Sequence, residues 1–189
     1  MTETITRKRF TVDDYYKLAE IGVWSEDDHV ELIDGEIFEM GPMSCKHARC
    51  VLFLNEIVNE MLHHKARIGS QLPVRLNNYY ELEPDILVLT PKKDHYHYSP
   101  PTAEDVYLLI EVSLSSINID LKSKLPQYAE SGVPEVWVVD LENEVVHQFT
   151  EPLGGEYQNH IIHQKNESIQ AQQIEGVVLS VNDILGIES

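Results

Sequence analysis

Two carboxylates and a lysine stand in this chain where they can act together. Asp85 leads into the apolar run Ile86-Leu87-Val88-Leu89, and Glu111 sits inside Leu108-Leu109-Ile110-Glu111-Val112. Both runs are short enough to be buried strands, where a lone carboxylate is costly unless it is paired or bound to a metal. Two acids on successive strands want a cation, and Lys124 follows on the next segment. Carboxylates of this kind suit magnesium, which prefers hard oxygen ligands and keeps waters for phosphate oxygens and an attacking nucleophile. A neighbouring lysine can position or deprotonate that water, or stabilise the charge that grows in the transition state. The set points to phosphodiester cleavage.

Each residue also has a plainer local reading. Pro84-Asp85 taken alone reads as a turn entering a strand, an arginine would satisfy Glu111 as well as a metal, and Lys124 can be a helix lysine paired with Asp120 four residues earlier. His63-His64 reads as solvated, and His95-Tyr96-His97-Tyr98 as an exposed loop with the option of binding a metal or stacking on bases. There is no P-loop, dinucleotide fingerprint or nucleophile elbow.

The elements that must position these residues are legible in outline. Thr11 to Glu20 reads as a short capped helix, and Val30 to Met40 as a hairpin about Asp34-Gly35. Val51, Leu54, Ile57, Val58, Met61 and Leu62 recur at helical spacing, giving a long amphipathic helix from Ser44 to about Lys65. A strand is expected near Ser70 to Leu76, then the strand holding Asp85, and a loop from Pro91 to Asp105 long enough to be a lid. Tyr107 to Val112 reads as a strand, followed by a helix whose regular part starts at about Leu125 because Pro126 suits a first turn. Glu135 to Asp140 and Val145 to Phe149 form a hairpin, with further strands and a short terminal helix beyond. Helix-flanked strands with hairpins at the margins give a mixed α/β domain.

At 189 residues the chain fits one domain, 1–189, with 1–9 expected as a flexible tip. No apolar run approaches the roughly 20 residues that span a bilayer, and the polar start lacks a secretory segment, so no membrane association and a cytoplasmic location are expected. Cys45 and Cys50 make no framework and read as free thiols. With 32 Asp and Glu against 14 Lys and Arg, the formal charge is −18. That counts against a nucleic-acid binder, although a bound divalent cation supplies positive charge where a phosphate would sit.

Taken in order, Glu31-Leu32-Ile33-Asp34-Gly35-Glu36, His47 opening a long helix, Pro84-Asp85, Glu111-Val112-Ser113, Asp120 with Lys124, Tyr128, Gly132 to Trp137 and Val139-Asp140 resemble the restriction-endonuclease family called Uma-two, in the PD-(D/E)xK nuclease superfamily. The likeness runs from about Phe10 to Ile187. It implies a restriction-endonuclease-like α/β core, with a mixed central sheet flanked by helices, and Asp85 and Glu111 as metal ligands. The superfamily's lysine would stand where this chain has Ser113, and its role falls by position to Lys124. Glu31 matches an additional acid able to reach the metal through water, and His47 matches a family position open to a helix-terminal hydrogen bond or a substrate contact. The resemblance implies a Mg2+-dependent endonuclease, with Mn2+ as a substitute, acting on DNA. By analogy a homodimer is expected, because two sites can cut two strands and the Trp137 to Phe149 hairpin offers an exposed sheet edge. The rival, favoured by the acidic surface, is a catalytically inactive nuclease-fold module for binding or assembly.

Overall fold

The computed structural model describes residues 6–25 and 28–187. Helix α1 (Val12–Glu20) begins at a capping box, in which the Thr11 hydroxyl accepts from Asp14 N and the Asp14 carboxylate accepts from Thr11 N. Strands β1 (Val30–Ile33) and β2 (Glu36–Glu39) turn through Asp34 and Gly35, both at positive φ (53° and 71°), the twist a tight hairpin needs. A Cβ on Gly35 would lie 2.6 Å from Arg9 Cβ, so this turn also requires glycine for space. Helix α2 (Cys45–Leu62) is capped by Ser44 and buries Cys50, Val51, Leu54, Val58 and Leu62 along one stripe.

Then follow β3 (Arg67–Gly69), β4 (Val74–Asn77), β5 (Tyr80–Leu82), β6 (Ile86–Leu89) and β7 (Val106–Ser113). A helical segment runs from α3 (Ile117–Ile119) through a π-helical turn (Asp120–Lys124) into α4 (Leu125–Glu130), where Pro126 sits in the first turn as expected. The chain continues through β8 (Glu135–Asp140), β9 (Val145–Leu153), β10 (Glu156–His163), β11 (Ser168–Gln170), β12 (Val178–Ser180) and α5 (Val181–Leu185).

The main sheet has the order β10-β9-β8-β7-β6-β3; β7 and β8 are parallel and the other neighbours antiparallel. A smaller sheet has the order β2-β1-β5-β4, and β11 pairs with β12. One face of the main sheet packs Val88, Ile110 and Trp137 with Leu54 and Val58 of α2 and Ile184 of α5. The other packs Leu87, Leu109 and Val136 with Tyr128 of α4 and with Val74 and Leu82 of the small sheet. With both faces covered, β8 is buried along its whole length. The result is the expected mixed α/β fold: a mixed central sheet flanked by helices, with added hairpins.

Four local expectations change. The single strand near Ser70 to Leu76 is two strands in different sheets, since the chain crosses between them around Pro73. Asp85 lies just before β6 rather than within a strand, because Pro84 has no N–H to give a ladder. The 91–105 loop is tied down: Lys92 pairs with Asp105 at 2.7 Å, and the Tyr96 hydroxyl donates to Thr90 O at 2.6 Å. The Trp137–Phe149 hairpin is no sheet edge, because β9 is covered by β10, which is itself the edge.

Of the expected tip, residues 1–5 lie outside the described residues, while Arg7 and Arg9 pair with Glu36 and Asp34 at the β1–β2 hairpin. Both cysteines are free thiols. Among the described residues no helix is long and apolar enough to cross a membrane.

Candidate active site

The ladder between β6 and β7 sets Ile86 opposite Ile110. One step further, the same register brings Asp85 opposite Glu111, so two acids 26 residues apart become cross-strand neighbours. Since Asp85 has left the ladder, its side chain completes the pairing: Oδ2 accepts from Val112 N at 2.8 Å and also contacts His47 Nε2 at 3.0 Å. His47 is carried by the first turn of α2, so the packing of that helix over the sheet decides its approach.

Lys124 comes from the other side. The segment after β7 is pinned by Asp120, whose Oδ2 accepts from the hydroxyls of Ser113 and Ser116. The π-helical turn that follows delivers Lys124 Nζ to Glu31 Oε1 at 2.9 Å and Glu111 Oε1 at 3.4 Å, with Asp120 at 3.8 Å. One α-helical turn later, Tyr128 donates its hydroxyl to Glu111 Oε1 at 2.6 Å. Glu31 is fixed in turn, because its Oε1 accepts from Glu83 N at 2.8 Å.

Glu31, His47, Asp85, Glu111, Asp120 and Lys124 all line one cleft of about 520 Å³. No residue of the 91–105 loop lines it, so that loop is not its lid. All five residues expected at the site, His47 included, are brought together. Tyr128, Ser113 and Asp120 belonged to the family pattern without an assigned role; the spacing of Lys124 and Tyr128, four apart on one helical face, was the available signal for the tyrosine.

The electrostatics are unbalanced. Burial drives the Glu111 carboxyl well above the ordinary carboxylate range; Lys124 opposes this, while Asp120, Asp85 and Glu31 add to it. Burial alone would lower the Lys124 pKa, but Glu111, Glu31 and Asp120 outweigh it and hold the ammonium charged. Both statements hold at once because one ammonium cannot neutralise all the carboxylates around it. Burial likewise pulls His47 down, and the hydrogen bond and charge of Asp85 raise it by more. Five acids, Glu31, Glu83, Asp85, Glu111 and Asp120, line the cleft with the Lys124 ammonium and His47, so carboxylates outnumber the cations that pair with them.

A divalent metal would cancel that excess. Among the described residues no three His, Cys, Asp or Glu side chains form a closed cage. Magnesium does not need one, since one or two carboxylates with waters and substrate phosphate suffice. The donor set fits: among the described residues no hydrogen bond occupies Asp85 Oδ1 or Glu111 Oε2, and both side chains line the cleft. Among the described residues His47 Nδ1, buried beside this cleft, has no hydrogen-bond partner, while Glu31 Oε2 lies 2.9 Å from Lys124 Nζ.

A search of curated proteins gives no match. Among solved structures, the chain is similar to one titled as a "putative nuclease belonging to DUF820" from Anabaena variabilis, with a TM-score of 0.71 and 17% identity, covering 94% of this chain and 98% of that one. At that identity the likeness shows the fold. The Uma2 family, described as "Putative restriction endonuclease", matches residues 12–182, nearly the whole length described. The chain that holds this cleft therefore belongs to the Uma2 family of restriction-endonuclease-like proteins.

Proposed function

We propose that the chain is a metal-dependent endonuclease that hydrolyses phosphodiester bonds in DNA, with Asp85 and Glu111 holding Mg2+ or, in its place, Mn2+. The observation that carries this reading is the convergence of Asp85, Glu111 and Lys124 on one cleft, with a carboxylate oxygen of each acid free of hydrogen bonds among the described residues. When bound, the metal supplies positive charge for the phosphate oxygens and lowers the pKa of water. The chain's own groups do the rest. Glu31 pins the Lys124 ammonium, and because that group stays charged it acts as a donor that positions water and stabilises charge growing on the phosphoryl oxygens. The water oxygen forms the new bond to phosphorus as one ester P–O bond breaks, the water's proton passing to solvent and the leaving oxygen taking up a proton from solvent. His47 and Val112 N hold Asp85 Oδ2, leaving Oδ1 for the metal. Membership of the nuclease-like family supports the reading.

The rival, an inert binding module, would need these side chains sealed in a satisfied network. The cleft weighs against it, as do Asp85 Oδ1 and Glu111 Oε2, which accept no hydrogen bond among the described residues. The proposal extends to a cytoplasmic homodimer.

Mg2+ or Mn2+ titration of cleavage tests the reading. Wild type should cut with saturable metal dependence, and Asp85→Ala and Lys124→Ala should each lose about 100-fold or more, the scale of one transition-state contact. Absence of both metal-dependent cleavage and metal binding in wild type sinks it.

A further inference from the structure

The nuclease reading leaves open what form of strand the cleft takes, and the lining speaks to that. Its acids are almost covered: relative exposure is 3% for Glu31, 8% for Asp85 and 4% for Glu111. A scissile phosphate must enter the cleft to meet them. Around them the lining includes Met40, Pro42, Met43, Leu114 and Ile119, of which Pro42, Met43 and Ile119 are exposed. Among the described residues the only lysine or arginine lining the cleft is Lys124, already engaged by Glu31 and Glu111, while Glu31, Glu83, Asp85, Glu111 and Asp120 are all acids.

This is a poor seat for a duplex. Double-stranded DNA carries a charge every ~1.7 Å of axis and is held by a basic surface, whereas a single strand has about half that density. Here the net charge is −18 and the cleft is acidic. A cleft of about 520 Å³ has the size of a small-molecule site and holds a nucleotide, whereas a double helix can only lie across its mouth. Apolar walls would be wasted on a phosphate backbone but give an unstacked base a face, and methionine thioethers make favourable contacts with aromatic rings.

From this we infer that the cleft takes an unpaired nucleotide, its phosphate on the Asp85–Glu111 side and its base against Met40, Met43, Leu114 and Ile119. The inference rests on the nuclease reading and narrows its substrate to single-stranded or locally unpaired polynucleotide. An intact duplex must first give up pairing and stacking, a cost that a single strand or a mismatch largely avoids.

The test compares the full chain with Mn2+ on three oligonucleotides of one sequence, as single strand, blunt duplex and duplex with a central unpaired bubble, each in DNA and RNA form. Single strand and bubble should be cut at least about tenfold faster than the blunt duplex, with a shallow salt dependence. Met43→Ala and Ile119→Ala, changes at exposed positions, should raise KM on single strand about threefold or more while kcat holds. A blunt duplex cut as fast as the single strand overturns the inference and leaves the nuclease reading standing. So does an unchanged KM in both rim variants. No cleavage of any of the substrates overturns both.

Discussion

The molecule buries two carboxylates in neighbouring strands of one sheet and treats them in opposite ways. Glu135, at the start of β8, is 0% exposed and accepts four hydrogen bonds: from Trp137 Nε1 and Gln148 Nε2 on Oε1, and from the backbone N–H groups of Gln172 and Gln173 on Oε2. Among the described residues no cation pairs with it, and every donor is neutral. Its surroundings extend the order, as Gln148 also bonds Gln170 O and His163. Glu111, on β7, has Lys124 and Tyr128 on one oxygen, no hydrogen bond on the other among the described residues, and four more carboxylates in the same cleft. A buried acid whose lone pairs are filled ties the fold together. A buried acid left short beside a solvent-reachable cleft stores unfavourable charge that a ligand can relieve.

The widest gap should open when each acid is neutralised in shape. Glu135→Gln turns an acceptor-only group into one whose NH2 opposes two incoming donors. It should destabilise the fold by about 3 kcal/mol, read as a lower urea midpoint with unchanged m-value. An unchanged midpoint would dissolve the contrast. Metal should act only on the other region. Mg2+ or Mn2+ at about 100 times its Kd should stabilise wild type by about 2.7 kcal/mol, leave Asp85→Ala unmoved, and stabilise Glu135→Gln as much as wild type.

A smaller effect of opposite sign is expected at the cleft. In metal-free protein Glu111→Gln should raise stability by about 1 kcal/mol, because it removes one of the crowded charges at a site kept for function. A loss instead would mean that Glu111 is structural, like Glu135. The pH dependence sharpens this. The folded pKa of Glu111 lies above its unfolded value, so its contribution is fully present below the unfolded pKa and is lost as pH rises toward about 8. His47, also raised, has the same sign. Metal-free wild type should therefore melt at lower temperature at pH 8 than at pH 5, and Glu111→Gln should flatten that slope.

Much of this was legible in the sequence because it is local. The Asp34-Gly35 turn, the Thr11 and Ser44 caps, the stripe of α2 and the start of α4 at Pro126 each depend on residues a few positions apart. The acid set was legible too, since a carboxylate inside an apolar run is costly wherever the chain goes. The sheet switch near Pro73, the tied-down loop after β6 and the cover of β10 over β9 depend on distant partners, and local patterns carry no trace of them.

The sequence by itself determined that Glu111 lies inside one strand-forming run and Glu135 opens another, and there the two look alike. Only the tertiary structure decided which was satisfied. Glu135 meets Gln148, Gln172 and Gln173, contributed by later segments, while Glu111 meets Lys124 and a crowd of like charge gathered by the β6–β7 register and the π-helical turn. The physical reason is that burial can be read along the chain, whereas the donors that satisfy a buried carboxylate arrive through space.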